Sequence, residues 1–416
     1  MVQAALFCAC LVRSAILRPF GDMISWIDAY LQTRRNGDWL AYLWMPHNEH
    51  HLLLIRGLTA LDVGYFQTSL IPFVAAATAC LTMTAWLVLS ALCRDAAFAP
   101  ALAGLAWLAP MVLLTNADVV DCAIPINAVY PMALFFIVAT LFLFDAQAES
   151  ARHTRTRRVV ALLTATLAGL CNGVGMVAWP VLLWSAWRGG ARLAWQVTIG
   201  LVGLAYGAVY VHGLPTAGHA DFSHLLMLPH LAKMADYLLA YLGLPLSRAP
   251  GLALPGRLLG GLLLAAGIVV LMRDTIPPRR PGRLQRLGPG LILAGLASAC
   301  LAVAGRVDLT QDVKVPLRYV VMVAPLHVGL LIVAWAGLAR LAATPRQQAG
   351  LRAGACAFAG LLLTFQVRMG FAVVAASDAI VATLDRYDAG IREPAMTRVV
   401  FPNLAVADRV LAAVRK

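Results

Sequence analysis

The chain has 416 residues, of which 61% are hydrophobic and 13% charged, with a mean hydropathy of +0.78 and a formal net charge of +13. Ordinary soluble domains are about half apolar and about a quarter charged, so this composition excludes a soluble globular protein and describes a polytopic membrane protein. The positive excess is carried by arginines scattered through short connecting segments, without a basic domain or interleaved aromatics, which argues against nucleic acid as a partner.

The first apolar segment, residues 3–17, carries Arg13 and has no Lys or Arg ahead of its core. It reads as an uncleaved anchor rather than a signal peptide. Residues 18–67 follow, too long for a mere connection. Trp26, Ile27, Tyr30 and Leu31, then Trp39, Leu40, Leu43 and Trp44, then Leu52 to Ile55 with Leu58 and Leu61, recur at helical spacing beside polar positions. That pattern predicts amphipathic helices lying on a bilayer surface, with tryptophans at headgroup depth.

Long apolar runs come next at about 68–92, 98–114, 128–145, 193–212, 253–272, 289–305, 318–340 and 353–375. Most are near the roughly 20 residues that a spanning helix needs. Two shorter segments, 158–171 and 175–187, are divided by the Asn172-Gly173-Val174-Gly175 stretch, which predicts two helices meeting at a turn. With the first segment this makes about 11 transmembrane helices, within a range of 9 to 12, in an all-α polytopic integral membrane protein. Residues 1–375 are expected to form the transmembrane domain, including the outer loop 18–67, and 376–416 a short C-terminal tail ending in an interfacial helix.

Arginine asymmetry sets the orientation. If the N-terminus is inside, the loops near Arg94, Arg155, Arg188, Arg280 and Arg346 all fall on the cytoplasmic side and the C-terminus falls outside. Most carboxylates and histidines then face outward, in what is expected to be the inner (cytoplasmic) membrane of a bacterium. The eight cysteines lie almost entirely in apolar segments, with Cys122 alone in an outer loop, so neither a disulfide framework nor a CxxC metal site is indicated. No GxxxxGK[ST] stretch occurs, so an ATP-driven pump is not indicated, and any reaction must use a substrate that reaches the outer face on its own, as lipid-linked donors do.

The chemistry concentrates in Met45 to Arg56, MPHNEHHLLLIR. On a helix, His47 would share a face with His50 and His51 while Glu49 pointed elsewhere, a spacing that suits metal ligation, substrate binding or a plain interfacial polar cluster. It is not the HExxH of a zinc protease. Upstream, Asp22 comes shortly after the first apolar segment and Asp28 six residues later. Either can be a solvated cap. As a functional group, Asp22 would be a general base at the membrane boundary, its pKa raised by partial burial. Arg56, Arg257, Arg306, Lys314, Arg318 and Arg368 lie at the same outer level, where guanidinium forks match phosphate oxygens.

The stretch PHNEHHLLLIRGLTALD resembles a PHNEHR stretch followed by an arginine in the first outer loop of many bacterial membrane proteins that are similar to GT-C type glycosyltransferases. NGVGMVAWPVLL at 172–183 and LRYVVMVAPLHVGLL at 317–331 resemble two further segments of that group. His51 stands where the stretch usually has arginine. The resemblance implies an inverting transferase that takes a sugar from a polyprenyl-phosphate donor on the outer face, with Asp22 as base. Glu49 is the second catalytic candidate, and Asp28, His47, His50, Arg56, Arg306 and Arg318 are the expected substrate-binding residues, with no assigned metal ligand. The acceptor would be a glycan, a lipid or a protein. The cofactor is left open, a divalent metal shared with the histidines being one option. Two other readings stay open: a transporter or flippase for a lipid or amphiphile, suggested by the broken helix at 172–175, and a polymerase or ligase of surface glycans.

Overall fold

The computed structural model describes residues 2–96, 103–145, 151–214, 228–275, 283–306, 315–342 and 344–414. Residues 98–102 of one expected span, parts of the connections at 146–150, 215–227, 276–282 and 307–314, and with them Arg280 and Lys314, lie outside the described residues.

Among the described residues 84% are helical, which makes the fold class all-α. Four helices precede the main bundle: α1 (Val2–Ser14), α2 (Asp22–Asn36), α3 (Trp39–Trp44) and α4 (Leu53–Tyr65). Between α3 and α4 a small antiparallel ribbon pairs β1 (Pro46–His47) with β2 (His50–His51). The bundle follows with α5 (Ile71–Ala96), α6 (Ala103–Leu113), the short α7 (Val119–Ala123), α8 (Val129–Asp145), α9 (Ala151–Cys171), α10 (Ala178–Arg188), α11 (Leu193–Val211), α12 (Leu228–Leu242), α13 (Ala253–Thr275), α14 (Arg283–Arg306), α15 (Val320–Leu341) and α16 (Pro345–Asp388). The chain ends in α17 (Leu404–Val414).

Among the described residues, seven helical stretches are long and apolar enough to cross a membrane: Ile71–Arg94, Pro125–Phe144, Leu193–Val211, Ala253–Thr275, Arg286–Arg306, Leu317–Leu341 and Pro345–Asp388. Their exposed faces are apolar, with Leu201 and Leu204 on α11, Leu258 and Leu262 on α13, and Leu361 and Phe371 on α16 open to the surroundings. A water-soluble bundle would place charges there, so this surface is consistent with a helical membrane protein. The other apolar helices fall short by length or composition: α1 has 13 residues, α6 and α10 have 11 each, and α9 opens on the polar stretch ARHTRTRR.

The interior is built around α14 and α15, which pack along most of their length and against α8. Gly329 permits this closeness, since a Cβ there would stand 2.5 Å from the Gly288 carbonyl oxygen. Small residues at such crossings let backbones approach where hydrocarbon surroundings give no other drive to associate. This pairing brings Arg306 at the end of α14 near Arg318 at the start of α15.

The boundary expected at 375/376 falls inside α16, which runs unbroken for 44 residues, capped at its start by a Thr344–Gln347 capping box. At 1.5 Å per residue this rod is about 66 Å long, twice the roughly 30 Å of a hydrocarbon core. Its far half carries Asp378, Asp385 and Asp388, which pair with Arg13 and Arg18 beside α1. There a second, smaller core gathers Ile16, Phe20, Ile24, Ile27, Leu384, Met396, Val400 and Val410. Helix α2 belongs to both cores, giving Met23 and Trp26 to the main one and Ile24 and Ile27 to the smaller. Each such buried side chain contributes on the order of 1.5–3 kcal/mol, which fixes α2 on two sides.

Candidate functional site

Asp22 is the first residue of α2, where a carboxylate suits the positive end of the helix dipole. The residue before it is tied down, Gly21 N–H donating to the Val400 carbonyl at 2.6 Å. The Asp22 side chain is half exposed, and its Oδ2 stands 3.3 Å from Nε2 of His47. His47 is held in turn by the edge of its ring against Trp26, centroids 5.6 Å apart, and Trp26 stacks on Phe73.

The helical reading of residues 47–51 does not hold. Proline at 46 and a left-handed Asn48, φ 51°, turn the chain into the ribbon, with His47 opposite His50. Asparagine tolerates that conformation because its short polar side chain can bond locally. His50 and His51 therefore point to opposite faces. His51 is buried, its Nδ1 2.6 Å from the Trp44 carbonyl and its ring stacked on Trp44 at 4.4 Å and edge-on to Tyr210. His50 lies over the break between α9 and α10, where a Cβ on Gly173 would come within 2.6 Å of its Nδ1. The break itself is a tight turn over Gly173–Val177, capped by Asn172, whose side chain accepts from Val174 N–H at 3.0 Å. Two short helices meeting at a turn are what the glycines and asparagine predict.

Two arginines complete the cluster. Arg306 Nη2 lies 3.8 Å from Glu49 Oε2 across the ribbon. Arg318, in the turn Leu317–Tyr319, has its guanidinium 5.6 Å from the centre of the Tyr319 ring. Tyr319 meets Tyr130 and Tyr241 with centroids 5.5 Å away in each case, so an aromatic wall backs the guanidinium.

The electrostatics differ from the sequence expectation. The His47 ring beside Asp22 holds its carboxyl below the ordinary 3.8, against the opposing effect of partial burial, and the charges of Arg318 and Arg306 pull the same way. Asp22 is therefore an ionised carboxylate in a cationic neighbourhood, rather than a base raised by desolvation. His50 moves down to about 4, chiefly by burial and then by the charge of Arg306, so its ring is neutral at physiological pH.

The remaining expected residues lie apart. Asp28 accepts from Gln32 at 3.0 Å and from Arg409 of α17 at 2.8 Å, joining the C-terminal helix to α2. Arg56 is buried: its Nε donates to the Met45 carbonyl at 3.1 Å and its guanidinium lies 5.1 Å from the Tyr42 ring centre, while Tyr42 O–H donates to the Arg56 carbonyl. It braces the ribbon from behind. Arg257 pairs with Asp236, and Arg368 donates weakly to the Pro250 carbonyl at 3.5 Å.

A metal needs at least three converging donors in most protein sites. Among the described residues no group of three or more His, Cys, Asp or Glu is placed to hold one, and His47 and Asp22 alone make two. All eight cysteines are free thiols.

Sequence reasoning missed Asp118 and Asp121. Both are fully buried, on and just before α7, which packs against α1, α5 and the Leu317–Tyr319 turn. Asp118 Oδ2 accepts from the Thr115 backbone and hydroxyl at 2.9 and 2.6 Å. Two carboxylates three residues apart within an otherwise apolar stretch were the available signal.

The chain matches no family model, no curated protein and no solved structure.

Proposed function

We propose that the protein is a membrane glycosyltransferase that uses a polyprenyl-phosphate-linked sugar on the outer face of the membrane and inverts the anomeric centre. The observation that carries this reading is the meeting of Asp22 and His47 with Arg306 and Arg318, four residues from the first eighth and the last third of the chain. A carboxylate beside two guanidiniums fits a reaction in which a hydroxyl loses a proton while an anionic phosphate departs.

In this scheme Asp22 accepts the proton of the acceptor hydroxyl as its oxygen attacks the anomeric carbon. The bond to the lipid phosphate breaks on the opposite face, and Arg306 and Arg318 stabilise the leaving oxygens. His47 positions the Asp22 carboxylate, and Glu49, paired with Arg306, orients that arginine. One displacement suffices, with no covalent intermediate. A phosphate on the arginines offsets their share of the depression of Asp22, the smaller one beside that of His47, so the base strengthens as donor binds.

The eleven-span, GT-C-like arrangement belongs to the same proposal. Its support is the alternation of helix ends: the neighbours of the site include the end of α1, the starts of α8 and α15, and the ends of α9, α11 and α14, while Arg188 and Asp274 pair at the ends of α10 and α13. Counting α1, α6, α9 and α10 with the seven longer stretches gives eleven, with the N-terminus inside and the site outside.

The transporter reading drew on the broken helix. Its turn is filled by His50 and capped by Asn172, which makes the break a seat for the ribbon rather than an open midplane site. The reading is tested by reconstituting the protein with polyprenyl-phosphate sugars in proteoliposomes and following donor consumption and product anomer. Inverted product with release of lipid phosphate supports it. Movement of intact donor across the bilayer without transfer would replace it with the transporter.

A further inference from the structure

Asp121 is the most exposed to question of all the buried groups. It is fully buried, and neither of its carboxyl oxygens has a hydrogen-bond partner among the described residues. Three groups in electrostatic reach of it also carry an orphaned polar atom: Oδ1 of Asp118, Nε of Arg318 and the hydroxyl of Tyr241. These come from three separate segments, α7 with its preceding residue, α12, and the turn that precedes α15. Native interiors pair nearly all buried polar atoms, so these groups call for a partner that the described residues do not supply.

An ionised carboxylate without partners costs several kcal/mol at this depth. Burial pushes the Asp121 carboxyl well above its usual range and Asp118 adds to the shift, while Arg318 pulls the other way. Asp118 itself is pushed up to about 7 by burial, against the two bonds from Thr115. The charged and titratable groups around Asp121 are thus Asp118, Arg318, Cys122, Tyr130 and Tyr241. A neutral carboxylic acid resolves the cost and turns an acceptor into a donor.

We propose that Asp121 serves the site as a neutral carboxylic acid that donates a hydrogen bond to an oxygen of the phosphoryl group held by Arg306 and Arg318. The inference rests on the anion site of the proposed function and adds to it a residue from the second outer segment. Its role is to bind and position the phosphoryl group while contributing no negative charge. An ionised aspartate there would repel the phosphate, so the neutral form is what lets a carboxyl sit beside an anion pocket. No proton changes hands in this step.

The test uses the full-length protein in nanodiscs and farnesyl phosphate as probe, read by equilibrium binding and by infrared difference spectroscopy at pH 7. The expected spectrum has a protonated-carboxyl band that shifts to lower frequency on probe binding, is absent in Asp121→Asn, and remains in Asp118→Asn. Affinity should fall about tenfold in Asp121→Leu, the loss of one hydrogen bond to a charged group, and much less in Asp121→Asn, whose amide still donates. No protonated band assignable to Asp121, or a band that does not move when the wild-type protein binds the probe, overturns the inference and leaves the proposed function standing. A wild-type protein that binds no farnesyl phosphate removes the anion site, and both fall together.

Discussion

Nε2 of His47 lies 3.3 Å from Oδ2 of Asp22, so the ribbon and the first turn of α2 meet at a carboxylate whose pKa its neighbours hold down against the opposing effect of burial. Because the folded value is depressed, this group stabilises the fold above the unfolded value near 3.8 and loses that contribution as pH falls through the lower folded value. For catalysis the same sign means that Asp22 is charged across the neutral range.

The first prediction follows. In His47→Gln the largest depressing influence is removed, so the acid limb of the kcat/KM profile should move up toward the ordinary carboxylate range. The measurement is a pH-rate profile of both proteins in the same lipid. An unmoved acid limb would separate Asp22 from the rate.

The arginines should divide by role. Arg306→Lys and Arg318→Lys keep charge but lose the planar fork, and donor affinity should weaken by about 1–3 kcal/mol. Arg56→Lys loses the bond to Met45 O and the packing on Tyr42, so thermal stability should fall while donor affinity in the folded fraction is kept. Donor titration beside a melting curve checks this, and equal affinity loss in all three variants would place Arg56 in the pocket after all.

Gly173→Ala tests the seat of the ribbon. Its Cβ would stand 2.6 Å from His50 Nδ1, so either His50 shifts or α9 and α10 separate. Overpacking of this kind costs about 1–3 kcal/mol, and the melting temperature should drop. His50→Ala in the same chain opens the space and should restore part of it. Lack of any rescue would show that the strain lies elsewhere.

Much of the helical architecture was legible because outward-facing and buried helices alike require long apolar runs. The ribbon was not legible. Its six residues, Pro46 to His51, fit helical spacing equally well, and Pro46 together with the left-handed Asn48 decides against it. Arg56 sits in sequence like Arg318, yet burial against Tyr42 makes one a brace while the other faces Tyr319 and Asp22, a difference created by packing alone. Nothing in the sequence pattern joins Tyr130, Tyr241, Tyr319 and Asp121. Their meeting depends on contacts between segments far apart in the chain.

Topology can be read directly in a background without the native cysteines. A cysteine at Ala395, in the turn that precedes α17, should react with an impermeant reagent added outside, and one at Ala349, in the first turns of α16, should react only after permeabilisation. Both positions are exposed in the fold, so accessibility reports sidedness. The reverse labelling would put the site in the cytoplasm.

The central claim is that Asp22 takes the acceptor's proton, and the comparison of Asp22→Asn with the wild-type protein tests it most directly. Asparagine keeps size and hydrogen bonding but cannot accept a proton, and loss of a positioned base costs about 10² to 10⁴ in rate. Sugar transfer from a polyprenyl-phosphate donor in proteoliposomes should therefore fall by about that factor, with donor affinity and melting temperature nearly unchanged. Full transfer by the Asp22→Asn variant would contradict the account.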